Sequence, residues 1–398
     1  MNTNIAKLYA VAQKEERWII GLMSGTSMDG LDIALCSFKG SGGETEVKII
    51  AFETIDFSEA IKDEIRAVFA KKTIDFQHLC LLNPWVGNLH GSLINAFLVK
   101  QGIDKTAIDA VASHGQTVFH APKILHGIDK FPNATLQIGD GDHVAVTTGI
   151  LTLSDFRQKH CAAGGEGAPL AVYGDYLIFS QKNENRILLN MGGIANFTFL
   201  PGDLDANRVF ATDTGTGNTL IDAFARKYFN VPYDANAEIA SSGQISESLL
   251  QALKQDDFFK KPFPKTTGPE LFSMAYVENA QAQSNTQGLT KQDVMATLTR
   301  FSAETIAEAI KTCFQGDEQY SIYGSGGGVH NPLLMRYLQG LLPNSTIRKT
   351  DELGISGDAK EAVLFATLAN EALCGGRTDF GSRRGVPSVS MGKISFPA

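Results

Sequence analysis

The stretch Gly21-Leu22-Met23-Ser24-Gly25-Thr26-Ser27-Met28-Asp29-Gly30-Leu31-Asp32 decides how the rest of this chain is interpreted. It joins the apolar run at residues 18–20 to the apolar run at 33–36, so we predict two strands connected by a turn. The turn is longer and richer in hydroxyl groups than reversing the chain requires. Glycines let backbone N–H groups approach an anion closely, and serine and threonine add donors. The turn is therefore either a phosphate-binding loop with a carboxylate nearby for Mg²⁺, or an ordinary polar hairpin.

Length and charge limit the class of protein. With 398 residues the chain exceeds what one hydrophobic core usually serves, so we expect two domains. Its 43% hydrophobic and 20% charged residues are ordinary for a globular protein. A net charge of −8 argues against binding to nucleic acid or to an acidic membrane, because either needs a basic face. Anionic small ligands stay possible, since a local site can be positive within an acidic whole.

The cysteines and the N-terminus predict a cytoplasmic protein. The five cysteines contain no Cys-x-x-Cys pair, which favours reduced thiols over a disulfide framework or a zinc site. The N-terminus lacks the long apolar segment of a signal peptide. No stretch approaches the ~18 apolar residues of a membrane span, so we expect no membrane partner.

Apolar spacing predicts an order of elements that occurs twice. The first part should contain strands at residues 18–20, 33–36, 47–52, 108–112 and 150–153, with helices at 61–69, 76–100 and near 144. We expect Pro84 to begin or interrupt the second helix. From Arg186 onward we predict strands at 187–190, 194–199, 209–212 and 320–323, with a helix at 294–314. The order recurs while residue identity hardly does, so the residues alone leave a duplication open.

The opening string resembles the N-terminal motif of the anhydro-N-acetylmuramic acid kinases, within the actin/hexokinase/Hsp70-like ATPase superfamily. Further resemblances are SHGQT at residues 113–117, DFR at 155–157 with AAGG and GAPL after it, and matches as far as Glu361. They imply an α/β fold of two actin-like (ribonuclease H-like) domains whose mixed sheets flank a central cleft. The implied N-terminal domain covers residues 1–166 and the C-terminal domain 167–398. The extreme C-terminus is a candidate for packing back on the first domain.

The resemblance also implies ATP and Mg²⁺, held by glycine-rich turns from both domains. The implied nucleotide-binding residues are Gly25, Thr26, Ser27, Met28, Asp29, Gly30, Leu31, Asp32, Gly192, Gly193, Asp213, Gly215, Gly217, Asn218, Gly326, Gly327 and Gly328. Asp29 and Asp213 are the candidate metal ligands, although isolated aspartates in such turns more often only shape the turn. The glycine run at 324–328 lacks GxGxxG spacing, so it is a weak dinucleotide signal.

Asp155 is the candidate catalytic base. It directly follows a predicted strand, and side chains at strand ends of α/β domains point towards ligands. By residue type alone, Asp155 and Arg157 could instead form a structural ion pair, and His114 could be a buried, satisfied histidine. The resemblance assigns the base to Asp155 and lets Arg157 orient that base or hold anionic substrate. The implied substrate-binding residues are His114, Gln116, Thr117, Arg157, Gly165 and Glu361.

Four positions depart from the family pattern. Thr216 stands where proline is usual, His160 where aspartate is usual, Glu166 where glutamine is usual, and Pro269 where arginine is usual. Glu166 adds negative charge, which would either make Asp155 a stronger base or weaken binding of the substrate carboxylate. The sugar specificity therefore stays open.

The implied activity is ATP-dependent, hydrolytic opening of the 1,6-anhydro ring of anhydro-N-acetylmuramic acid with phosphorylation of O6. The product would be N-acetylmuramic acid 6-phosphate, an intermediate of cell-wall recycling. The alternatives are a kinase for a different amino sugar, or a non-catalytic ATP-binding protein of the same fold. The sugar-directed motifs at 113–117 and 155–157 weigh against the second alternative. The partners implied are the small amino sugar and a second copy of the chain in a homodimer.

Overall fold

The computed structural model describes residues 2–26, 28–268, 270–314, 318–376, 378–381 and 385–398. The chain divides into a first unit, Met1–Phe179 with Gly354–Ala398, and a second unit, Ser180–Leu353. Relative to the predicted division after residue 166, residues 167–179 and 354–398 group with the first unit.

The helices and strands follow one another through both units. In chain order they are α1 (Thr3–Ala12), β1 (Glu16–Ser24), β2 (Gly30–Lys39), β3 (Glu46–Asp56), α2 (Glu59–Arg66), α3 (Phe76–Gln101), β4 (Ala110–Ala121), α4 (Lys123–His126), β5 (Ala134–Ile138), α5 (Gly141–Thr148), β6 (Thr152–Ser154), α6 (Phe156–Ala162), α7 (Ala171–Phe179), β7 (Arg186–Met191), β8 (Ile194–Leu200), β9 (Phe210–Thr216), α8 (Thr219–Phe229), α9 (Glu238–Ser241), α10 (Glu247–Leu253), α11 (Asp257–Lys260), α12 (Met274–Gln283), α13 (Lys291–Lys311), β10 (Tyr320–Ser325), α14 (Pro332–Leu341), β11 (Ser345–Lys349), α15 (Lys360–Cys374) and β12 (Lys393–Ser395). No helix in these ranges is both long and apolar enough to cross a membrane.

The sheet of the first unit runs β12-β6-β4-β1-β2-β3, with β5 paired to β4. The predicted opening hairpin is confirmed, because β1 and β2 pair antiparallel from Glu16 opposite Lys39 to Met23 opposite Asp32. β4 is parallel to both β1 and β6, so the sheet is mixed.

The last long helix belongs to the first unit because its backbone packs closely on β1. A side chain at Gly21 would place its Cβ 1.9 Å from the Ala362 carbonyl oxygen of α15. Only glycine allows this approach of strand to helix. Residues 354–398 therefore stay with the sheet that the opening stretch begins.

Two sequence expectations in the first unit were wrong. The SHGQT motif does not follow a strand end but lies inside β4, which changes partners from β1 to β5 at Gln116. The bend there is made by Gly115 with φ +76°. Pro84 does not end α3, which runs through it from Phe76 to Gln101. The adjoining Asn83 side chain accepts the Gly139 N–H at 2.9 Å.

The second unit has its own mixed sheet, in the order β11-β10-β7-β8-β9. β7 pairs parallel with β10 and antiparallel with β8. The predicted helix at 294–314 is α13, and its predicted apolar face is buried, with Val294, Leu298 and Phe301 at 0% exposure. The predicted α/β class with mixed sheets is confirmed in both units.

Candidate functional site

Three predicted site segments leave the same edge of the first unit's sheet. Leu22 of β1 lies opposite Ser113 of β4, which lies opposite Ser154 of β6. The three strands are parallel, so their carboxyl ends meet at one edge, where α/β sheets bind ligands. The turn after Ser24, the 113–117 motif and Asp155 are therefore brought together.

The turn between β1 and β2 is shorter than predicted. Met28 has φ +59° and donates its N–H to the Gly25 carbonyl at 3.2 Å, and the Asp29 carbonyl accepts the Phe57 N–H at 2.8 Å. Thr26 and the Asp29 side chain are exposed, while Ser27 lies outside the described residues.

Gly30, Leu31 and Asp32 lie in β2 and not in the turn. The Leu31 side chain is fully buried in the core. The Asp32 carboxylate accepts the Thr54 hydroxyl at 2.6 Å. These three residues leave the turn because the strand pairing of β2 with β3 already begins at Gly30 opposite Asp56.

Gln116 stabilises the start of the turn between β1 and β2. Its side chain is fully buried, its Oε1 accepts the Ser24 hydroxyl at 2.5 Å, and its Nε2 donates to the Gly25 carbonyl at 3.1 Å. The amide is thus committed to protein groups at the start of the turn. Thr117, the next predicted sugar contact, accepts the Gln137 amide at 3.1 Å through its hydroxyl.

Arg157 is held by His114 and not by Asp155. Its Nε donates to His114 Nε2 at 2.8 Å, and a terminal guanidinium nitrogen donates to the Gly167 carbonyl at 2.8 Å. Burial lowers the pKa of His114 to about 3, with the Arg157 charge acting in the same direction, so this imidazole is a neutral acceptor. Burial also lowers the pKa of Arg157, and Glu361 opposes that shift. Glu361 itself is exposed in the first turn of α15.

His160, one of the departures from the family pattern, orders the loop that follows α6. Its Nδ1 accepts the Gly167 N–H at 2.9 Å, and its carbonyl accepts the Gly165 N–H at 2.9 Å. A side chain at Gly165 would lie 2.2 Å from the His160 ring. Burial lowers the pKa of His160 to about 4, which keeps the ring neutral and able to accept. A neutral imidazole thus supplies an acceptor where a carboxylate is usual.

Asp155 stands at the junction of β6 and α6 with an unusual backbone. Its φ of 59° and ψ of 39° are left-handed, and its side chain makes no capping bond to α6. Non-glycine residues in this region are uncommon and concentrate at functional sites. The carboxylate forms an ion pair with Lys393 of β12 instead. Sequence reasoning missed Lys393, because nothing local to Asp155 indicates a partner from the C-terminal strand.

The glycine turns of the second unit gather at one edge of its sheet. Gly217 donates its N–H to the Gly193 carbonyl at 2.8 Å, and Asn218 donates its own to the Gly192 carbonyl at 2.9 Å. Asn190 of β7 pairs with Ser325 of β10, which brings the 326–328 run beside this turn. A side chain at Gly326 would place Cβ 2.7 Å from the Asn190 side-chain oxygen and 2.8 Å from the Met191 carbonyl.

Asp213 and Gly215 lie within β9 rather than after it. One Asp213 oxygen accepts the Thr267 N–H at 2.8 Å, and burial raises the pKa of Asp213 against that hydrogen bond. Thr216, where the family usually has proline, accepts the Leu220 N–H of α8 through its hydroxyl at 3.4 Å. Pro269 lies outside the described residues.

The donor set suits a nucleotide-associated cation better than a protein-enclosed one. Within the described ranges, no group of three or more histidine, cysteine, aspartate or glutamate side chains could hold a metal ion. Mg²⁺ at nucleotide sites usually takes one or two carboxylates, with phosphates and water completing its shell. Asp29 is exposed, and Asp213 keeps one oxygen outside its bond to Thr267, so single carboxylates of this kind are present.

Buried histidines make stability depend on pH. Burial lowers the pKa of His90 to about 4, and both of its ring nitrogens lack a hydrogen-bond partner among the described residues. In the unfolded chain a histidine titrates near ~6.5. Between these two pH values the unfolded state binds more protons, so the free energy of unfolding falls as pH is lowered from about 6.5 to about 4.

We expect His90→Leu to weaken this acid loss by up to about 3 kcal/mol at pH 4 relative to pH 8. Urea unfolding at both pH values measures it. The exposed His330, replaced in the same way, should leave the pH dependence as it is in the parent protein. Parallel pH dependences for His90→Leu and the parent would contradict the assignment.

The chain is similar to known proteins along nearly its whole length. The sequence profile described as anhydro-N-acetylmuramic acid kinase matches residues 17–391. The anhydro-N-acetylmuramic acid kinase of Pseudoalteromonas atlantica is 56% identical over 100% of both chains. That of Caldanaerobacter subterraneus subsp. tengcongensis is 36% identical over 98% of this chain and 100% of its own. Among solved structures, the activator of the 2-hydroxyisocaproyl-CoA dehydratase from Clostridium difficile with bound ADPNP covers 89% of this chain and 95% of its own, with 13% identity and a TM-score of 0.38.

Proposed function

This chain belongs to the anhydro-N-acetylmuramic acid kinase family, and we propose that Asp155 is the general base of its reaction. The activity is ATP-dependent phosphorylation of anhydro-N-acetylmuramic acid, with hydrolytic opening of the 1,6-anhydro ring. The observation that carries the assignment is Asp155 itself, a carboxylate at the ligand-binding edge of the sheet whose side chain does not cap its own helix.

The proposed reaction consumes one water and one ATP. Asp155 takes a proton from the water, the water oxygen forms a bond to C1, and the bond between C1 and O6 breaks. O6 receives the γ-phosphoryl group, so the leaving oxygen needs no separate general acid. The products are ADP and N-acetylmuramic acid 6-phosphate, an intermediate of murein recycling.

The proposed substrate-binding residues lie in the same unit as Asp155. Arg157, positioned by the neutral His114 at 2.8 Å, supplies positive charge for the carboxylate of the sugar's lactyl group. Glu361, on α15, offers a carboxylate acceptor for sugar hydroxyl or amide groups, and the Gly165 carbonyl, which accepts the Asn133 amide at 3.0 Å, can accept one further hydrogen bond.

In the second unit we assign the nucleotide phosphates to the glycine turns at 192–193, 215–218 and 326–328, and in the first unit the candidate phosphate contact is the turn at residues 25–29. Closely approached backbone N–H groups suit phosphates, because charge spreads over the phosphoryl oxygens during transfer. Asp213 of the second unit and Asp29 of the first are each a candidate ligand of Mg²⁺. When bound, that ion neutralises the charge that develops on the phosphates.

Gln116 is proposed to act on the nucleotide side and not on the sugar. Its amide braces Ser24 and Gly25. We expect Gln116→Leu to raise KM for ATP about 10-fold, since the turn loses two hydrogen bonds and keeps the side-chain volume, with a much smaller change in KM for the sugar. Thr117→Val, which changes the neighbouring predicted sugar contact, is the control variant. If Gln116→Leu instead raises only KM for the sugar, Gln116 is a substrate-binding residue, as the sequence resemblance implied.

The activity is tested by ADP release from purified protein with ATP and Mg²⁺. Anhydro-N-acetylmuramic acid should stimulate release, whereas N-acetylglucosamine and glucose should not. Equal stimulation by an ordinary hexose would favour the alternative, a kinase in which Asp155 deprotonates a sugar hydroxyl that attacks ATP directly.

We also infer where the enzyme acts in the cell and how it assembles. We place the enzyme in the cytoplasm, where ATP is available, with no nucleic-acid or membrane partner. We also propose a homodimer. Apolar side chains that cluster along residues 124–131 support it, because Ile124, Leu125, Ile128 and Phe131 are each about half exposed or more and a second copy would cover them.

A further inference from the structure

The C-terminal strand β12 is seated against the segment that carries Asp155. Lys393 lies opposite Ser154 in the antiparallel pairing of β12 with β6. The preceding Gly392 has φ +108°, and a side chain there would place Cβ 3.2 Å from the Phe156 ring. The backbone register therefore places Lys393 opposite the residue that precedes Asp155.

The ion pair between Lys393 Nζ and Asp155 Oδ2 is too exposed to stabilise the fold appreciably. The Lys393 side chain is 66% exposed and that of Asp155 is 27% exposed. Pairs this open to water contribute little to folding. In the part of the chain that the structure describes, Lys393 is the cation that reaches Asp155, because Arg157 is directed at His114 and Gly167.

We infer that Lys393 is a positioning residue that holds the Asp155 carboxylate in place and directs one of its oxygens. The inference rests on the proposed function, in which Asp155 is the base. With Oδ2 paired to the ammonium group, Oδ1 is the oxygen left to accept the proton of the attacking water.

Other titratable groups near this pair lie on the packed elements α6 and α5. Cys161 and Arg157 are on α6, and Asp155 acts electrostatically on the Cys161 thiol. At the start of α5, Asp140 is paired with His143 at 2.9 Å, and Asp142 follows it. None of these groups is a cation directed at Asp155. We therefore assign the positioning of its carboxylate to Lys393.

The test compares Lys393→Met, Lys393→Arg and the control Lys39→Met in the full-length protein. Lys39 is a strand-end lysine of the same unit, 54% exposed, with only a 3.8 Å contact to Glu16. For Lys393→Met we expect kcat to fall about 10-fold with KM for ATP unchanged, because the carboxylate loses the partner that directs it. Lys393→Arg should restore most of kcat, and Lys39→Met should behave as the parent.

A parent-like kcat in Lys393→Met would overturn the inference. A melting temperature below that of the parent would indicate a structural role, and Lys393→Gln then repeats the test with a side chain that can still hydrogen-bond. The proposed function fails separately: it fails if Asp155→Asn retains normal turnover, whereas an inactive Asp155→Asn beside a normal Lys393→Met removes only the part given to Lys393.

Discussion

Asp155→Asn is expected to lower kcat for anhydro-N-acetylmuramic acid by at least ~100-fold while leaving the binding of ATP and sugar in place. Asparagine keeps the size of the side chain and tolerates the left-handed backbone found at this position. It removes only the charged oxygen that would take the proton of the attacking water. Single-turnover kinetics and calorimetric titration of each ligand separate the chemical step from binding.

Asp129→Asn is the matched control for that experiment. Asp129 is a fully exposed aspartate of the same unit, and its carboxylate contacts Lys123 at 3.5 Å. It should leave kcat unchanged. Turnover near that of the parent in Asp155→Asn would contradict the assignment of the base.

Gly217→Ala should raise KM for ATP by roughly 10- to 100-fold. An added Cβ would lie 2.4 Å from the Gly192 carbonyl oxygen and 3.3 Å from that of Gly193. Both neighbours are backbone atoms, so the two strands of the turn must separate, and overpacking of this kind costs about 1–3 kcal/mol. The same displacement removes the 2.8 Å bond from the Gly217 N–H to the Gly193 carbonyl. Initial-rate kinetics with ATP varied and sugar saturating measures the effect.

Gly340→Ala in α14 supplies the comparison within the same unit. A Cβ at Gly340 meets no atom within 4 Å, so KM for ATP should stay as in the parent. KM for the sugar should change little in either variant. An unchanged KM for ATP in a folded Gly217→Ala protein would remove this turn from the nucleotide site.

The elements that sequence reasoning predicted are those whose signal is local. The opening hairpin has two apolar runs separated by a turn, and α13 has an apolar face that repeats at helical spacing. Their burial follows from their own residue order. The α/β class could be predicted for the same reason, since such segments make up most of both units.

Tertiary pairing could not be predicted in this way. Lys393 contacts Asp155 across 238 positions, and Gln116 reaches Gly25 across 91, so no window of sequence contains both partners. The placement of α15 with the first unit depends on a close backbone approach at Gly21 that only the fold reveals. Arg157 likewise donates to His114, 43 positions away in sequence, and not to the neighbouring Asp155.

His160, which departs from the family pattern, orders the loop after α6 with a neutral ring. Sequence comparison marks the change from the usual aspartate but not its consequence. The structure gives His160 an acceptor nitrogen that takes the Gly167 N–H, and burial keeps this nitrogen unprotonated. The loop that carries Gly165 is therefore ordered without the carboxylate.

The mass of the product formed from anhydro-N-acetylmuramic acid, ATP and Mg²⁺ tests whether water attacks C1 while O6 takes the phosphoryl group. The proposal requires a product heavier than the sugar by one phosphoryl group plus one water, and a 31P–1H correlation spectrum of that product must place the phosphate on O6. A product heavier by the phosphoryl group alone, with the anhydro ring intact, would contradict it, because a sugar hydroxyl would then have attacked ATP and Asp155 would have no water to activate.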